Sequence, residues 1–225
     1  MPKNLHIDFV SDVACPWCAI GLASLERALE ELEREVEVDL AFQPFELNPQ
    51  MGPQGEDMTE HLTAKYGSTA QQQAQSRAAM AQRGAALGFT FRPEGRGRIW
   101  NTFDAHRLLA WAGEQGAQQQ RDLKMALLKA YHGEGRSPAD RAVLADVVAS
   151  AGLDRAQAEE VLASDRYADE VRRSEAHWQS LGIHAVPSVV INNRHLIQGG
   201  QPPEVFAQAL RQIAQQPEGS ATTEA

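Results

Sequence analysis

The 225-residue chain has ordinary proportions of apolar and charged residues, which predicts one globular unit or a small domain with a large insertion. Its formal net charge of −9 argues against sequence-independent binding to nucleic acid, because such binding requires a basic surface that displaces counterions. No apolar run approaches the roughly 18 residues of a membrane span, and the first residues lack the apolar core and cleavage site of a signal peptide. We therefore expect a cytoplasmic protein that has neither nucleic acid nor membrane as a partner.

The first 43 residues predict a strand, a helix and a second strand. Apolar residues alternate along the two strand segments, which are centred on residues 5–10 and 36–43. Between them, apolar side chains recur at spacings of three and four, which is typical of an amphipathic helix: Leu22, Leu25, Leu29 and Leu32. This order predicts a right-handed βαβ unit.

The middle of the chain predicts a block of helices from Glu56 to about Leu181. An irregular connection is expected at residues 89–99, where Pro93, Gly95 and Gly97 interrupt the pattern. Ser137 and Pro138 predict the start of one helix, and Asp154 predicts the cap of the next. The other helices are expected over residues 56–66, 69–87, 102–115, a segment through Leu123, Leu127 and Tyr131, and 167–181.

The last part of the chain predicts a β-hairpin and a final helix. Residues 188–192 and 195–198 are the two hairpin strands, and Pro202-Pro203 opens the helix. The whole order predicts an α/β protein with a thioredoxin fold and an all-helical domain inserted after the second strand. We expect a discontinuous thioredoxin-like domain of residues 1–50 and 182–214, a helical insertion domain of residues 55–181, and a disordered tail of residues 215–225.

The only two cysteines, Cys15 and Cys18, lie three positions apart at the start of the first helix. A sulfur at a helix N-terminus lies beside unsatisfied N–H groups and the positive end of the helix dipole, which favours thiolate over thiol. Cys18 continues the apolar stripe of its helix, so we expect Cys15 to be the exposed nucleophile and Cys18 the shielded resolving thiol. Pro16 suits the first helical turn, and Trp17 is expected at the surface as an apolar platform for a substrate.

Two other interpretations of the cysteine pair are weaker. Structural zinc needs a second pair of Cys or His ligands, and none of the seven histidines forms a local pair. The start of a helix is an unfavourable position for buried cysteines that have only a structural role. We therefore predict no bound metal and a thiol pair kept for its reactivity.

Several blocks of the chain, in order from about Leu5 to Ile213, resemble the DsbA-like branch of the thioredoxin superfamily, and within it the cytoplasmic FrnE-type proteins. The blocks are residues 11–18, 44–49, 101–108 and 182–187, together with a Gly-Gly-Gln turn at 199–201. The resemblance implies a cis peptide at Val186–Pro187 and close approach of that loop to Cys15. Val186 would then bind an extended substrate through its backbone. Ala185 and Ser188 depart from the Gly and Phe expected beside it.

The same branch includes glutathione-dependent isomerases of 2-hydroxychromene-2-carboxylate, which usually carry serine at the position of Cys15. The complete Cys15 and Cys18 pair favours redox chemistry over this isomerisation. Trp100, Asn101 and His106 are candidate cleft residues, although a helix cap at Asn101 and ordinary helix packing at His106 are the more economical interpretations.

The leading hypothesis is a protein disulfide oxidoreductase or isomerase that acts through a mixed disulfide on Cys15, which Cys18 resolves. Its partner is a thiol- or disulfide-containing protein or small molecule. No cofactor is expected to stay bound, and glutathione is the candidate thiol co-substrate. A glutathione-dependent isomerase, a polyketide-pathway enzyme and a non-catalytic binding protein are the alternatives, and both monomer and homodimer remain open.

Overall fold

The computed structural model describes residues 2–216 of the chain. Its elements follow the predicted order of strand, helix and strand, then a largely helical segment, then a hairpin and a final helix. In chain order they are β1 (Lys3–Ser11), α1 (Pro16–Glu31), β2 (Val36–Pro44), β3 (Glu56–Asp57), α2 (Met58–Tyr66), α3 (Ala70–Ala86), β4 (Arg98–Ile99), α4 (Phe103–Gln115), α5 (Ala117–Leu128), a π-helical turn (Lys129–Gly133), α6 (Arg141–Ser150), α7 (Arg155–Ala163), α8 (Ala168–Ser180), β5 (Ser188–Ile191), β6 (His195–Gln198) and α9 (Pro203–Gln215).

A four-stranded mixed sheet with the order β2-β1-β5-β6 carries the helix that follows the cysteines. β1 pairs in parallel with β2, with Ile7 opposite Leu40, so α1 is the crossover of the predicted βαβ unit. β5 runs antiparallel to β1 and forms the predicted hairpin with β6. Asn192 and Asn193 have φ angles of 53° and 54°, as a tight hairpin turn requires. The α/β class and the thioredoxin-like arrangement with a helical insertion are confirmed.

The central strand β1 is buried on both faces, which explains why its buried residues run continuously from Ile7 onward. On one face, Phe9 packs with side chains of α1 and α9 such as Leu22 and Phe206. On the other face, Val10 packs with Phe45, Trp178 and Ile183. α1 is thereby fixed against the sheet at the end where β1 stops and Cys15 follows.

A second core lies within the helical segment, which we define as residues 58–180. Side chains of α4 to α7 form this core, among them Trp111, Leu123 and Val161. Val13 and Ala14, the two residues before Cys15, belong to the same cluster. The helical segment is therefore packed directly against the loop that leads into the cysteine pair. The division into domains at residues 50, 55 and 181 stays a prediction.

Two predicted helix starts in the block expected from Glu56 to about Leu181 are wrong, the one at Glu56 and the one at Ser137. Glu56 and Asp57 do not begin a helix but pair as β3 with β4, which lies within the stretch predicted as irregular. The helix starts after them because the Asp57 carboxylate accepts the N–H groups of Thr59 and Glu60. The predicted continuous helix through Tyr131 also changes to a π-helical turn after Leu128.

The helix predicted to start at Ser137 and Pro138 starts instead at Arg141. Asp140 accepts hydrogen bonds from the N–H groups of Ala142 and Val143 and thereby caps the helix at this later position. The Ser137 hydroxyl accepts a hydrogen bond from the N–H of Ala139 and closes a turn before the helix.

The C-terminal helix α9 includes Gln215, so the prediction that this residue belongs to a disordered tail is wrong. The rest of that predicted tail, residues 217–225, lies outside the described residues. Among residues 2–216, no helix is long and apolar enough to cross a membrane.

Candidate active site

Cys15 lies at the amino end of α1, where the sequence predicts a reactive thiol. It is the N-cap residue, with φ and ψ of −89° and 114°, and Pro16 follows in the first turn. The Cys15 side chain makes no capping hydrogen bond to the helix. Its sulfur is therefore free for chemistry beside the N–H groups of the first turn, and proline costs no hydrogen bond at this position.

The two thiols are free, and both are buried. Cys18 is fully buried, as predicted, whereas Cys15 is only 4% exposed, so the expectation of a freely exposed nucleophile is wrong. The reason is the loop before β5, whose Val186 carbonyl oxygen lies 3.5 Å from the Cys15 sulfur. Trp17 is 37% exposed and stands at the surface beside Cys15, as predicted.

The pKa values of the two thiols move in opposite directions. Hydrogen bonding from the Cys18 thiol lowers the pKa of Cys15, and the backbone N–H groups of Cys18 and Trp17 add to this, against burial and the charge of Asp12. Burial raises the pKa of Cys18 well above its usual value, and its interaction with Cys15 raises it further. Cys15 is therefore the thiol of the pair that ionises first as the pH rises.

The Val186–Pro187 peptide is cis, as the family resemblance implies. The proline ring lies against α1 at Gly21, where an added Cβ would come within 3.0 Å of the Pro187 Cγ. The Pro187 carbonyl accepts the N–H of Gly199 at 2.8 Å, and the buried Ser188 hydroxyl donates to the Ala185 carbonyl at 2.8 Å. These contacts hold the loop, and with it the Val186 carbonyl, over Cys15.

Asp12 is a buried carboxylate that organises the loop before Cys15. One oxygen accepts the N–H of Ala14 at 3.0 Å and the hydroxyl of Thr102 at 2.7 Å, and the other accepts the N–H of Leu47 at 2.7 Å. Burial raises the pKa of Asp12, but the contact with His106 and these hydrogen bonds outweigh it and hold the pKa below its usual value. Asp12 therefore stays ionised near the two thiols.

Lys124 of α5 is a buried amine whose Nζ has no hydrogen-bond partner among the described residues. Burial lowers its pKa, while the charges of Cys18, Asp12 and Cys15 oppose that shift. The reciprocal effect is a lowering of the Cys18 pKa by Lys124, which is smaller than the effect of burial on Cys18. Lys124 is thus positioned to stabilise a thiolate at either cysteine.

A cavity of about 450 Å³ opens behind this buried site, between β2 and the helices α4, α5 and α8. His106 and Lys124 line it, and the His106 Nε2 lies 3.5 Å from the Asp12 carboxylate, a distance longer than an ordinary hydrogen bond. Asp39, Glu114 and Glu170 also line this cavity.

Two further groups from the helical segment bind backbone carbonyls just before Cys15. The His132 Nε2 lies 2.9 Å from the Val13 carbonyl, which fixes this nitrogen as the donor. Burial lowers the pKa of His132 well below its usual value, and the nearby Arg96 charge adds to this, so the ring is neutral. Arg96 donates to the Ala14 carbonyl and lies over the Tyr131 ring.

The three candidate cleft residues each contact groups other than the two thiols. The Asn101 side chain accepts the N–H of Phe103 at 2.9 Å, as a helix cap does, and donates to Glu46 at 3.1 Å. His106 is a buried helix residue that faces Asp12. Trp100 packs under the Gly55 turn, with the Arg98 guanidinium over its ring.

The sequence reasoning missed Asp12 and Lys124 as parts of the site. A signal for Lys124 was available, because position 124 falls on the same helix face as Gln120, Leu127 and Leu128, all of which are buried. A lysine on an apolar stripe indicates a buried charge with a partner. Among residues 2–216, no three His, Cys, Asp or Glu side chains are grouped as metal ligands.

The chain is similar to several known proteins. A model of the DSBA-like thioredoxin domain matches residues 6–211. A probable DsbA oxidoreductase from Streptomyces coelicolor is 34% identical with a TM-score of 0.87, covering 98% of this chain and 95% of that one. Two structures with lower identity share the fold. The cytosolic disulfide reductase DsbM from Pseudomonas aeruginosa, solved with GSH, is 16% identical with a TM-score of 0.64, covering 92% of this chain and 98% of that one. A 2-hydroxychromene-2-carboxylate isomerase is 13% identical with a TM-score of 0.68, covering 92% and 95%.

The family match spans nearly the whole chain and includes both cysteines and the cis-proline loop. The chain belongs to the DSBA-like thioredoxin domain family, a family of disulfide oxidoreductases.

Proposed function

We propose that this protein is a thiol–disulfide oxidoreductase that acts in the cytoplasm through a mixed disulfide on Cys15, in the manner of the FrnE-type proteins. The observation that carries the proposal is the pair of thiols whose pKa values are moved apart, with Cys15 under the Val186 carbonyl and Cys18 buried behind it. Such a difference gives one sulfur the role of nucleophile and the other that of a resolving thiol.

The reaction balances as two successive exchanges. The Cys15 thiolate attacks one sulfur of a substrate disulfide, a Cys15–substrate disulfide forms, and the first substrate thiolate leaves. Cys18 then loses its proton and attacks the Cys15 sulfur, which releases the second substrate thiolate and leaves a Cys15–Cys18 disulfide. The substrate has gained two electrons, and the protein regains them from a thiol such as glutathione, the co-substrate that we propose. Run in reverse, the oxidised pair accepts two electrons from a substrate dithiol.

The surface around Cys15 supports binding of an extended thiol or disulfide substrate, either a protein or a small molecule. Trp17 offers an exposed apolar face, and Pro16 shapes the turn between it and Cys15. The Val186 backbone, held in place by the cis peptide to Pro187, lies across the sulfur from them. We assign Pro16, Trp17, Val186 and Pro187 to substrate binding on this basis.

The test is insulin reduction with a low concentration of dithiothreitol or glutathione as electron donor. We expect Cys15→Ser to abolish turnover, and Cys18→Ser to stop it while a covalent mixed disulfide accumulates that mass spectrometry detects. Full activity in both variants would refute the proposal. Alkylation supplies an independent check, since iodoacetamide should modify Cys15 at neutral pH and spare Cys18.

A glutathione-dependent isomerase of the 2-hydroxychromene-2-carboxylate type is the second candidate, because a structure of such an enzyme shares the fold. Isomerisation needs no resolving thiol. Turnover of the chromene carboxylate that survives Cys18→Ser, together with no insulin reduction by the unmodified protein, would favour this candidate over the first.

A further inference from the structure

Arg83, on the last turn of α3, is an exposed cation that reaches across from the helical segment to the mouth of the cysteine site. Its guanidinium carbon lies 5.2 Å from the centroid of the Trp17 ring, and its Nη2 donates to the Gly200 carbonyl at 3.0 Å. Gly200 is itself seated on Trp17, since a Cβ there would come within 3.1 Å of the Trp17 carbonyl oxygen. These two contacts hold the Arg83 guanidinium beside Trp17.

Most of the hydrogen-bonding capacity of this guanidinium is unused. Arginine has five N–H donors in a rigid fork that matches a carboxylate, and in residues 2–216 Arg83 gives one of them to a protein acceptor. Some other arginines of this acidic chain are paired with carboxylates: Arg121 lies 2.7 Å from Glu26, and Arg211 lies 3.0 Å from Glu35. Within the described residues, Arg83 has no carboxylate within ion-pair distance.

A second cation lies on the other side of the motif. Arg96 donates to the carbonyl of Ala14, the residue before Cys15, and it too has no ion pair in the part of the chain that the structure describes. The nearest carboxylate along the chain, Asp12, is buried and engaged by N–H and hydroxyl donors. The mouth of the site thus carries local positive charge on a protein whose net charge is −9.

We infer that Arg83 is a specificity-determining residue that binds a carboxylate of the substrate, so that Cys15 reacts preferentially with anionic thiols and disulfides. The inference rests on the proposed thiol–disulfide exchange at Cys15. Trp17 holds the guanidinium plane by a cation–π contact, and Gly200 orients its edge. A carboxylate-bearing disulfide attacked by Cys15, or a carboxylate-bearing thiolate that attacks the Cys15 sulfur of the oxidised pair, would meet the free donors of this edge beside the indole.

The experiment compares three small symmetric disulfides that differ in charge: dithiodipropionate (anionic), hydroxyethyl disulfide (neutral) and cystamine (cationic). Stopped-flow Trp fluorescence gives the rate constant for reaction of the fully reduced protein with each. Every rate constant is divided by that of free mercaptoethanol thiolate with the same disulfide. The ratio of anionic to cationic values then cancels the reactivity of the Cys15 thiolate, because the same thiolate attacks both.

We expect this ratio to be about ten in the unmodified protein and to decrease with added salt, as for a partly exposed charge pair. Arg83→Gln should lower it to about one to two, while Arg83→Lys should keep most of it. The matched control is Arg77→Gln, which removes the same charge from the same helix away from Trp17 and should leave the ratio unchanged. The neutral disulfide reports any general damage to the site.

Two results would overturn the inference while leaving the proposed function intact: a ratio near one in the unmodified protein, or an equal change for all three disulfides in Arg83→Gln. The second result would make Arg83 a purely structural contact between α3 and Trp17. If none of the three disulfides reacted in a Cys15-dependent way, the proposed function itself would fail.

Discussion

Replacing Lys124 with methionine should make the oxidised protein more stable and its disulfide harder to reduce. Lys124 is fully buried and its amine has no hydrogen-bond partner among the described residues, so the folded protein bears a desolvation cost at this position. Methionine has a similar length and no charge, and it adapts to irregular core space. The variant therefore removes the charge with little change in packing.

The size of the effect depends on the redox state. A buried polar group without a partner costs about 1–3 kcal/mol, so the free energy of unfolding of the oxidised form should rise by about that amount. In the reduced form, the Cys15 thiolate interacts with the Lys124 charge, and this interaction offsets part of the cost. The gain in the free energy of unfolding should therefore be smaller in the reduced form than in the oxidised form.

This difference fixes the sign of the change in reduction potential. The variant gains less stability in the reduced state than in the oxidised state, so reduction becomes less favourable and the potential becomes more negative. For a two-electron couple, every 1.4 kcal/mol of difference between the two gains would move the potential by about 30 mV. Urea unfolding of both redox forms and equilibration with glutathione measure the two sides of the same thermodynamic cycle.

The matched control is Lys129→Met, which removes an exposed charge from the adjoining turn and should change neither quantity. The reasoning is refuted if Lys124→Met stabilises both redox forms equally and leaves the potential unchanged. That result would mean that Lys124 is uncharged in both redox forms and does not interact with the thiols. A destabilised oxidised form would refute the desolvation argument as well.

Two other substitutions test the supporting groups. Asp12→Asn should lower the free energy of unfolding by about 2–4 kcal/mol in urea denaturation, because one amide oxygen cannot replace both carboxylate oxygens toward Ala14, Thr102 and Leu47. Because the pKa of Asp12 is lowered in the folded protein, its ionised carboxylate contributes to the free energy of unfolding fully above about pH 4. This contribution is lost as the pH falls through the folded pKa. The free energy of unfolding of Asp12→Asn, measured over the same pH range, should lack this pH-dependent part. Asn101→Ala should cost about 1–2 kcal/mol through loss of its cap and of the Glu46 contact, yet insulin reduction should stay within about twofold; a large loss of activity in a folded variant would instead give Asn101 a role in catalysis.

The sequence was most informative where chemistry depends on local position. The spacing of Cys15 and Cys18 alone predicts one thiol at a helix N-cap and one that faces inward. In the structure Cys15 is the N-cap of α1 and Cys18 is a buried residue of that helix. The hairpin turn at Asn192 and Asn193 also depends on local sequence, because asparagine tolerates the positive φ angles that such a turn requires. Burial of Cys15 was not predictable in this way, because a loop 171 positions away in the chain covers its sulfur.

The missed parts of the site share one physical reason. The role of Lys124 depends on the packing of α5 behind the thiols. Helix periodicity indicates that its side chain faces inward, but it does not indicate which groups the side chain contacts. The short ribbon of β3 and β4 is also a long-range pairing, with Glu56 opposite Ile99, and local propensity gives it no support. Competing caps, as at Ser137 and Asp140, are local but depend on which donor the tertiary structure leaves free.

The contacts of the helical segment argue that it does more than cover the cysteines. Thr102 donates to Asp12 and His132 binds the Val13 carbonyl, so this segment holds the loop that positions Cys15. Lys124 is the cation that opposes the rise in the Cys18 pKa caused by burial, and it comes from the same segment. Without these groups, the strand, helix and cis-proline loop would still present two thiols at a helix start, but Cys18 would be buried with no cation beside it and Asp12 would lose its hydroxyl donor. The reactivity of the pair is therefore a joint property of the sheet that carries the cysteines and the helices inserted after β2.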